Sequence, residues 1–476
     1  MKTLNLSLSE TTHKHQSLSD AFRAAIKNGK LLPGEKLPST RTMAETYGMN
    51  RHTVMNALST LLAEGWIESQ QKKYYTVAST LPDTFLLPEK MVDEQYGQKE
   101  FQYNFTRPID IAPYSTDRGY KHSFLSGFPD LRLFPMQSFK SALYDSLKST
   151  LLLDYGDPKG LPELRHEVST YLRRMRGLDQ REIVITNGSQ EAIFLLAQLL
   201  LKPGDVVAVE SLGYPPAIEA LKYAGAKILP LKIDRDGLDV EDLRKKTEKY
   251  KIKMLYTTPL HQYPTTVTMT ASRRLALYEL ALKQSFTILE DDYDHEFHYD
   301  TAPMAPLASF DPAGIVLYVS TFSKVLFPSA RVGFMAVPPV LAEELAKLKH
   351  ISSRQNEHLL QSAIARWMRE GEFEKHLRKM RRVYFERRNA FQEDLLSLKK
   401  RKPELDWIQP DGGMAFWIDV KTNSTLVAAK ALKNSIYVNP EKKFRRDGKD
   451  GTKLRLGFTG QTIEENREGL FKLFEL

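Results

Sequence analysis

Cysteine is absent from this 476-residue chain. Disulfides and thiolate metal sites are therefore excluded, no metal site is expected, and the usage fits a reducing, cytoplasmic setting. No run reaches the eighteen or so apolar residues that span a bilayer, so no membrane partner is expected. The opening MKTLNLSLSETTHKHQ lacks the apolar stretch of a secretory signal. Repeats and low-complexity tracts are missing as well. What remains, 42% hydrophobic and 27% charged, is ordinary for a globular chain of two or three domains with ample core. Basic residues number 68 against 59 acidic, a net +9 that permits nucleic-acid binding without establishing it.

The chemistry concentrates in Thr321 to Gly333, TFSKVLFPSARVG. Gly314 to Val319 (GIVLYV) reads as a buried strand leading into it. Hydroxyls at Thr321 and Ser323, an amine at Lys324 and a guanidinium at Arg331 suit a phosphate held beside a lysine. A desolvated lysine near other cations can form a Schiff base. A lysine after a strand is more often a solvated loop residue, so matching pieces are needed elsewhere. Three are present. Asn187-Gly188-Ser189-Gln190 opens a helix after a strand, where free N–H groups face an anion. ILEDDYD sets Asp291 and Tyr293 at a strand end, placed for a ring nitrogen and a ring oxygen. KLRLG sets Arg455 on a strand, where it can clamp a carboxylate. The bland alternatives are an ordinary helix start, a solvated acidic turn and a surface arginine.

Strand-like runs at Glu182–Thr186, Val206–Glu210, Lys227–Leu231, Met254–Thr257 and Thr287–Leu289 alternate with helical segments Gln190–Leu201, Pro215–Tyr223 and Ser272–Gln284. That order predicts an α/β region with a mainly parallel sheet. Its domain is placed at 122–476. Before it, residues 79–121 show no lasting period and several prolines, and read as a tether in which Phe101, Tyr103 and Phe105 alternate like a short strand.

Residues 1–78 read as three helices and a hairpin, a winged helix-turn-helix. Leu18, Phe22, Ala25 and Ile26 share one helical face, and Gly29 with Pro33-Gly34 ends that helix. Ser39 opens a second helix with Met43, Ala44 and Tyr47 inward. Asn50 caps a third, with Val54, Ala57, Leu58, Leu61 and Leu62 as its buried stripe. The hairpin runs Trp66–Glu68 and Tyr74–Val77. This geometry points Asn50, Arg51 and Thr53 at base edges and puts Ser39 and Arg41 near phosphates or a guanine edge. A small helical packing module is the alternative.

The run LLPGEKLPSTRTMAETYGMNRHTVMNALSTLLAEGWIE resembles the DNA-binding domain of GntR-type regulators. The resemblance implies an operator of double-stranded DNA and contacts from Ser39, Arg41, Arg51 and Thr53. Its wing departs from that family: QQKKYYTV has no glycine, leaving Lys72 and Lys73 for phosphates. The larger region resembles the fold-type I pyridoxal-phosphate aminotransferases. By that likeness Lys324 would hold pyridoxal 5'-phosphate as an internal aldimine, Asp291 would face its ring nitrogen, and Tyr293 its phenolic oxygen. Gly188, Ser189, Gln190, Thr321, Ser323 and Arg331 would hold the phosphate. Tyr214 would lie against the ring, Arg455 would take a carboxylate, and Tyr155 would reach the neighbouring subunit's phosphate in a homodimer.

Both parts in this order resemble MocR-type regulators, with SGFPDLRLFP from Ser126, TTPLHQYPT and EDDYDHEFHYD as further signatures. Leu212 and Thr266 replace a proline and a glycine usual there. The implied function is transcription regulation in response to an amine, an amino acid or the cofactor itself, without enzymatic turnover. Two alternatives remain: an active aminotransferase with a DNA-binding appendage, and a repressor with an idle pocket.

Overall fold

The computed structural model describes residue 6 and residues 13–70, 74–82, 103–105, 119–125, 127–300 and 304–475. Lys72, Lys73, Phe101, Ser126 and most of the tether lie outside the described residues. The chain divides into two compact units, residues 1–106 and 107–476.

In the smaller unit, helices α1 (Lys14–Lys27), α2 (Thr40–Thr46) and α3 (Arg51–Ala63) precede an antiparallel hairpin, β1 (Ile67–Gln70) with β2 (Tyr74–Val77). Local chemistry sets the breaks. Ser39 and Asn50 turn their side-chain oxygens onto the first free N–H groups of α2 and α3, at 3.1 and 2.9 Å. Leu18, Phe22, Ile26, Met43, Val54, Leu58, Leu61 and Trp66 close one core. Arg23 ties α1 to the end of α3 through both carboxylate oxygens of Glu64, at 2.7 and 2.8 Å. Leu62 corrects the sequence reading: it is 41% exposed. The buried residues Val54, Ala57, Leu58 and Leu61 span about 100° of the helix surface, and Leu62 falls roughly 40° beyond the edge of that stripe. The hairpin also starts a residue later than read, with Trp66 buried ahead of the strand.

The larger unit is built on a seven-stranded sheet. Its strands are β3 (Glu182–Thr186), β4 (Val206–Glu210), β5 (Lys227–Leu231), β6 (Ile252–Thr257), β7 (Thr287–Asp291), β8 (Val316–Thr321) and β9 (Gly333–Val337). They lie in the order β3-β9-β8-β7-β6-β4-β5. Only β9 runs against its neighbours, so the sheet is mainly parallel. Two apolar layers cover it, one on each face, which is why its strands read as continuous apolar runs. Strand β8 begins at Val316, two residues later than expected, because Gly314 takes a positive φ of 72° and belongs to a turn. The strand also runs two residues past Val319, held by the pairing of Thr321 with Gly333, so Thr321 ends it and does not follow it.

A smaller four-stranded sheet carries β10 (Asp406–Trp407), β11 (Ala415–Asp419), β12 (Asn439–Pro440) and β13 (Lys453–Gly457), in the order β10-β11-β13-β12. Among the described residues no helix is long and apolar enough to cross a membrane.

Candidate functional site

Parallel strands deliver their C-terminal ends to one edge, where α/β proteins place ligands. Strand β7 ends at Asp291 and β8 at Thr321, and they pair directly, Asp291 opposite Val319. The turn after β8 presents Lys324, whose Nζ donates to the Gly127 carbonyl at 2.9 Å. Part of this side chain remains accessible, yet the protein around its amine is dense, and desolvation lowers its pKa. Asp294 and Asp291 oppose that shift, while Arg455 and Arg331 add to it.

Asp291 and Asp292 are consecutive carboxylates with opposite fates, because successive strand residues face opposite sides. Burial pushes Asp291 up to about 7, partly offset by the Tyr256 hydroxyl, which donates to Oδ2 at 2.8 Å. Its Oδ1 is buried with no hydrogen-bond partner among the described residues. Asp292 is also buried, but Arg176 at 2.6 Å and Tyr318 at 2.7 Å outweigh desolvation and hold it at about 2.

Strand β3 leads into Asn187-Gly188, and the helix Ser189–Leu200 follows. A Cβ on Gly188 would stand 2.8 Å from the Arg331 guanidinium, and one on Gly333 2.6 Å from the Gly188 backbone. Gly333 is required by this backbone approach, and Gly188 by its left-handed φ of 80°. Arg331 adopts a left-handed φ of 50° and donates to the Asn187 carbonyl at 2.6 Å. Thr321 Oγ1 donates to Ser323 Oγ at 2.9 Å. Gln190 turns its amide to the Pro216 carbonyl at 2.8 Å, so that group is engaged by the first turn of the helix Pro215–Tyr223.

The rings of Tyr214, Tyr263 and Tyr293 meet edge to face, with centroids 5.5 and 5.9 Å apart. Burial raises the phenols of Tyr214 and Tyr293. Arg455 is wholly buried on β13, its guanidinium 4.4 Å over the Tyr263 ring and donating to the Pro264 carbonyl. Tyr155 lies on the surface, 69% exposed, with the Arg354 guanidinium 3.8 Å over its ring. Thr266, at the glycine position of the motif, is buried with φ at 66°, a strained conformation for a β-branched residue.

Sequence reasoning missed Tyr256, Tyr263 and Gly127. Tyr263 lay within TTPLHQYPT, a motif already singled out. Tyr256 had no signal, because only the β6–β7 pairing brings it to Asp291.

In the smaller unit Arg41 and Arg51 are exposed. Arg51 Nε donates to Thr40 Oγ1 at 3.3 Å, across the α2–α3 turn, and Arg41 pairs with Glu45 at 3.2 Å. Ser39 and Asn50 remain exposed while capping their helices, and Thr53 is half-buried on α3.

A DNA-binding head of regulator type and an aminotransferase-like body define the class. Residues 14–77 match bacterial regulatory proteins of the gntR family, and residues 126–473 match the aminotransferase class I and II family. The chain is 33% identical to the probable rhizopine catabolism regulatory protein MocR of Rhizobium meliloti, over 79% of this chain and 76% of that one. It is 27% identical to the HTH-type transcriptional regulator YdfD of Bacillus subtilis, over 97% and 95%. Among solved structures it resembles Pyrococcus horikoshii kynurenine aminotransferase in complex with PMP, with a TM-score of 0.71 and 30% identity, over 75% of this chain and 91% of that one. The chain belongs to the aminotransferase class I and II family through its larger part and, with its GntR head, to the MocR-type transcription regulators.

That aminotransferase family binds pyridoxal phosphate. The residues present fit it. Asp291 Oδ1 lacks a donor that a protonated ring nitrogen would supply, and the Gly188–Arg331 cradle offers donors to a phosphate. A stability consequence follows from Asp291. Its folded pKa of about 7 lies above the usual carboxylate value, so it favours folding at low pH and loses that benefit as pH rises through 7. Asp291→Asn is therefore expected to raise the Tm of the cofactor-free protein at pH 8, with the gain shrinking toward pH 5. Paired melts across that range check the sign.

Proposed function

We propose that this regulator carries pyridoxal 5'-phosphate on Lys324 and responds to a small amine or amino acid, or to the cofactor itself. The observation that carries the reading is the presence, at neighbouring strand ends, of a desolvated amine on the partly exposed Lys324 and an unpartnered buried oxygen on Asp291. When bound, the cofactor supplies an aldehyde for which amines compete and an electron-withdrawing ring. Asp291 would hold the proton at the ring nitrogen, Tyr293 would bond the ring oxygen, and Tyr214 would rest against the ring face. Gly188, Ser189, Gln190, Thr321, Ser323 and Arg331 would hold the phosphate, and Arg455 an effector carboxylate.

Tyr155 would complete the partner's site in a homodimer. A solvent-facing apolar run supports that arrangement: Leu147, Leu151, Leu153 and Tyr155 are all exposed. Residues 1–78 would bind operator DNA in the cytoplasm, 79–121 would tether them, and 122–476 would take the effector. An amine that replaces Lys324 acts only if it binds two states of the dimer with different affinity.

Titrating amines and amino acids against visible absorbance, with operator binding followed in parallel, tests this. At least one ligand is expected to change both signals. A spectral response that never alters DNA binding would contradict it. Retention of Lys324, Asp291 and Arg331 favours a second reading, an active aminotransferase, for which sustained turnover is the mark. Arg51 tests the other unit. Arg51→Ala is expected to cost about 1–3 kcal/mol of operator affinity, normal for a base-reading arginine, while leaving the cofactor spectrum unchanged.

A further inference from the structure

Lys349, on the helix Pro339–Ser352, is wholly buried and belongs to none of the groups above. Its ammonium donates to the Ile185 carbonyl and to Oδ1 of Asn356. Burial lowers it to about 8, against the pull of Glu191 and Asp157. Asn356 passes its own amide to Glu191 Oε2 at 3.2 Å. Glu191 stands in the first turn of the helix Ser189–Leu200 and grips Asn187 twice, at the backbone N–H (2.5 Å) and the side-chain amide (3.3 Å). The carbonyl of Asn187 in turn accepts from Arg331 at 2.6 Å. A continuous chain of hydrogen bonds thus runs from a buried lysine to the arginine of the glycine cradle.

We propose that Glu191, fixed by Asn356 and Lys349, is the positioning residue that aims the Arg331 guanidinium at a bound phosphate. The inference rests on the cofactor reading above. Asn187 precedes Gly188, whose positive φ of 80° marks a peptide with conformations open to it that other residues lack. Without Glu191 the turn loses its hold on Asn187 and keeps the Thr186 hydroxyl on the Gly188 carbonyl at 2.9 Å, so the Asn187 carbonyl gains room to turn and orients Arg331 less well. The bland role for Glu191 is helix capping, since an acidic residue in a first turn favours any helix. Capping affects folding and every ligand alike, whereas aiming Arg331 affects phosphate alone.

The test titrates the full-length, cofactor-stripped protein with pyridoxal phosphate and with pyridoxal, which lacks the phosphate. Glu191→Ala is expected to weaken pyridoxal phosphate about tenfold or more, the scale of a charge-assisted hydrogen bond. Pyridoxal should stay within about twofold, the scatter of a neutral substitution. Parallel losses for both ligands, or no loss for either, would overturn the proposal. Should Glu191→Ala fail to fold, Asn356→Ala serves, with the same selectivity expected at about threefold. Wild-type protein that does not distinguish the two ligands would sink the cofactor reading itself.

Discussion

Lys324→Ala is expected to abolish the covalent holding of pyridoxal phosphate and with it the response to effectors, while operator binding persists. The side chain reaches Gly127 at 2.9 Å among charges that act on its amine from Asp294, Arg455, Asp291 and Arg331. Desolvation there favours the neutral, nucleophilic amine. Alanine leaves the Arg331 cradle and Asp291 in place, so some reversible binding remains. What disappears is the visible band and its retention through dialysis, with occupancy falling at least about tenfold. An unchanged band would place the attachment elsewhere. Operator binding persists because the helices that carry Arg41 and Arg51 fold around their own core.

Arg176→Ala is expected to destabilise the larger unit by about 3–5 kcal/mol, the cost of leaving a buried charge without its partner. Arg176 and Asp292 are each 2% exposed at the side chain and lie 2.6 Å apart. Tyr318 donates to the same carboxylate oxygen, and Arg176 also donates to the Met304 carbonyl at 3.1 Å. Alanine removes the largest of the influences that hold the Asp292 pKa at about 2, leaving the buried carboxylate with only the Tyr318 hydroxyl and the neighbouring His295. Urea melts measure the loss. A second substitution, Asp292→Ala, should recover part of it, because no buried charge is then left unpaired, although the Tyr318 hydroxyl loses its acceptor. A loss below about 1 kcal/mol would mean that solvent reaches the pair.

Much of this architecture was legible because single residues report on buried faces. Leu18, Phe22 and Ile26 announce α1 by their spacing, and continuous apolar runs such as Val206–Glu210 announce strands covered on both sides. Leu62 misled because a helix stripe drawn too wide takes in a residue that turns to solvent. In the candidate site, Lys324, Asp291 and Arg331 stood in local motifs and could be picked out one by one. Their partners could not. Tyr256 reaches Asp291 through the pairing of two strands more than thirty residues apart in sequence. Lys349 follows Ala342 and Leu345 at helical spacing on the buried stripe of its helix, yet its hydrogen bond to the Ile185 carbonyl spans 164 positions and has no local signal. A helical period can place a residue on the buried side, but tertiary pairing decides which distant partner it meets there.

A covalent link at the Lys324 side chain underlies both the cofactor's retention and the effector response. Borohydride reduction of the pyridoxal-phosphate-saturated protein, followed by peptide mapping, locates that link. A cofactor adduct confined to the peptide that contains Lys324 is expected. An unmodified Lys324, or an adduct spread over Lys349 and the surface lysines, would contradict it.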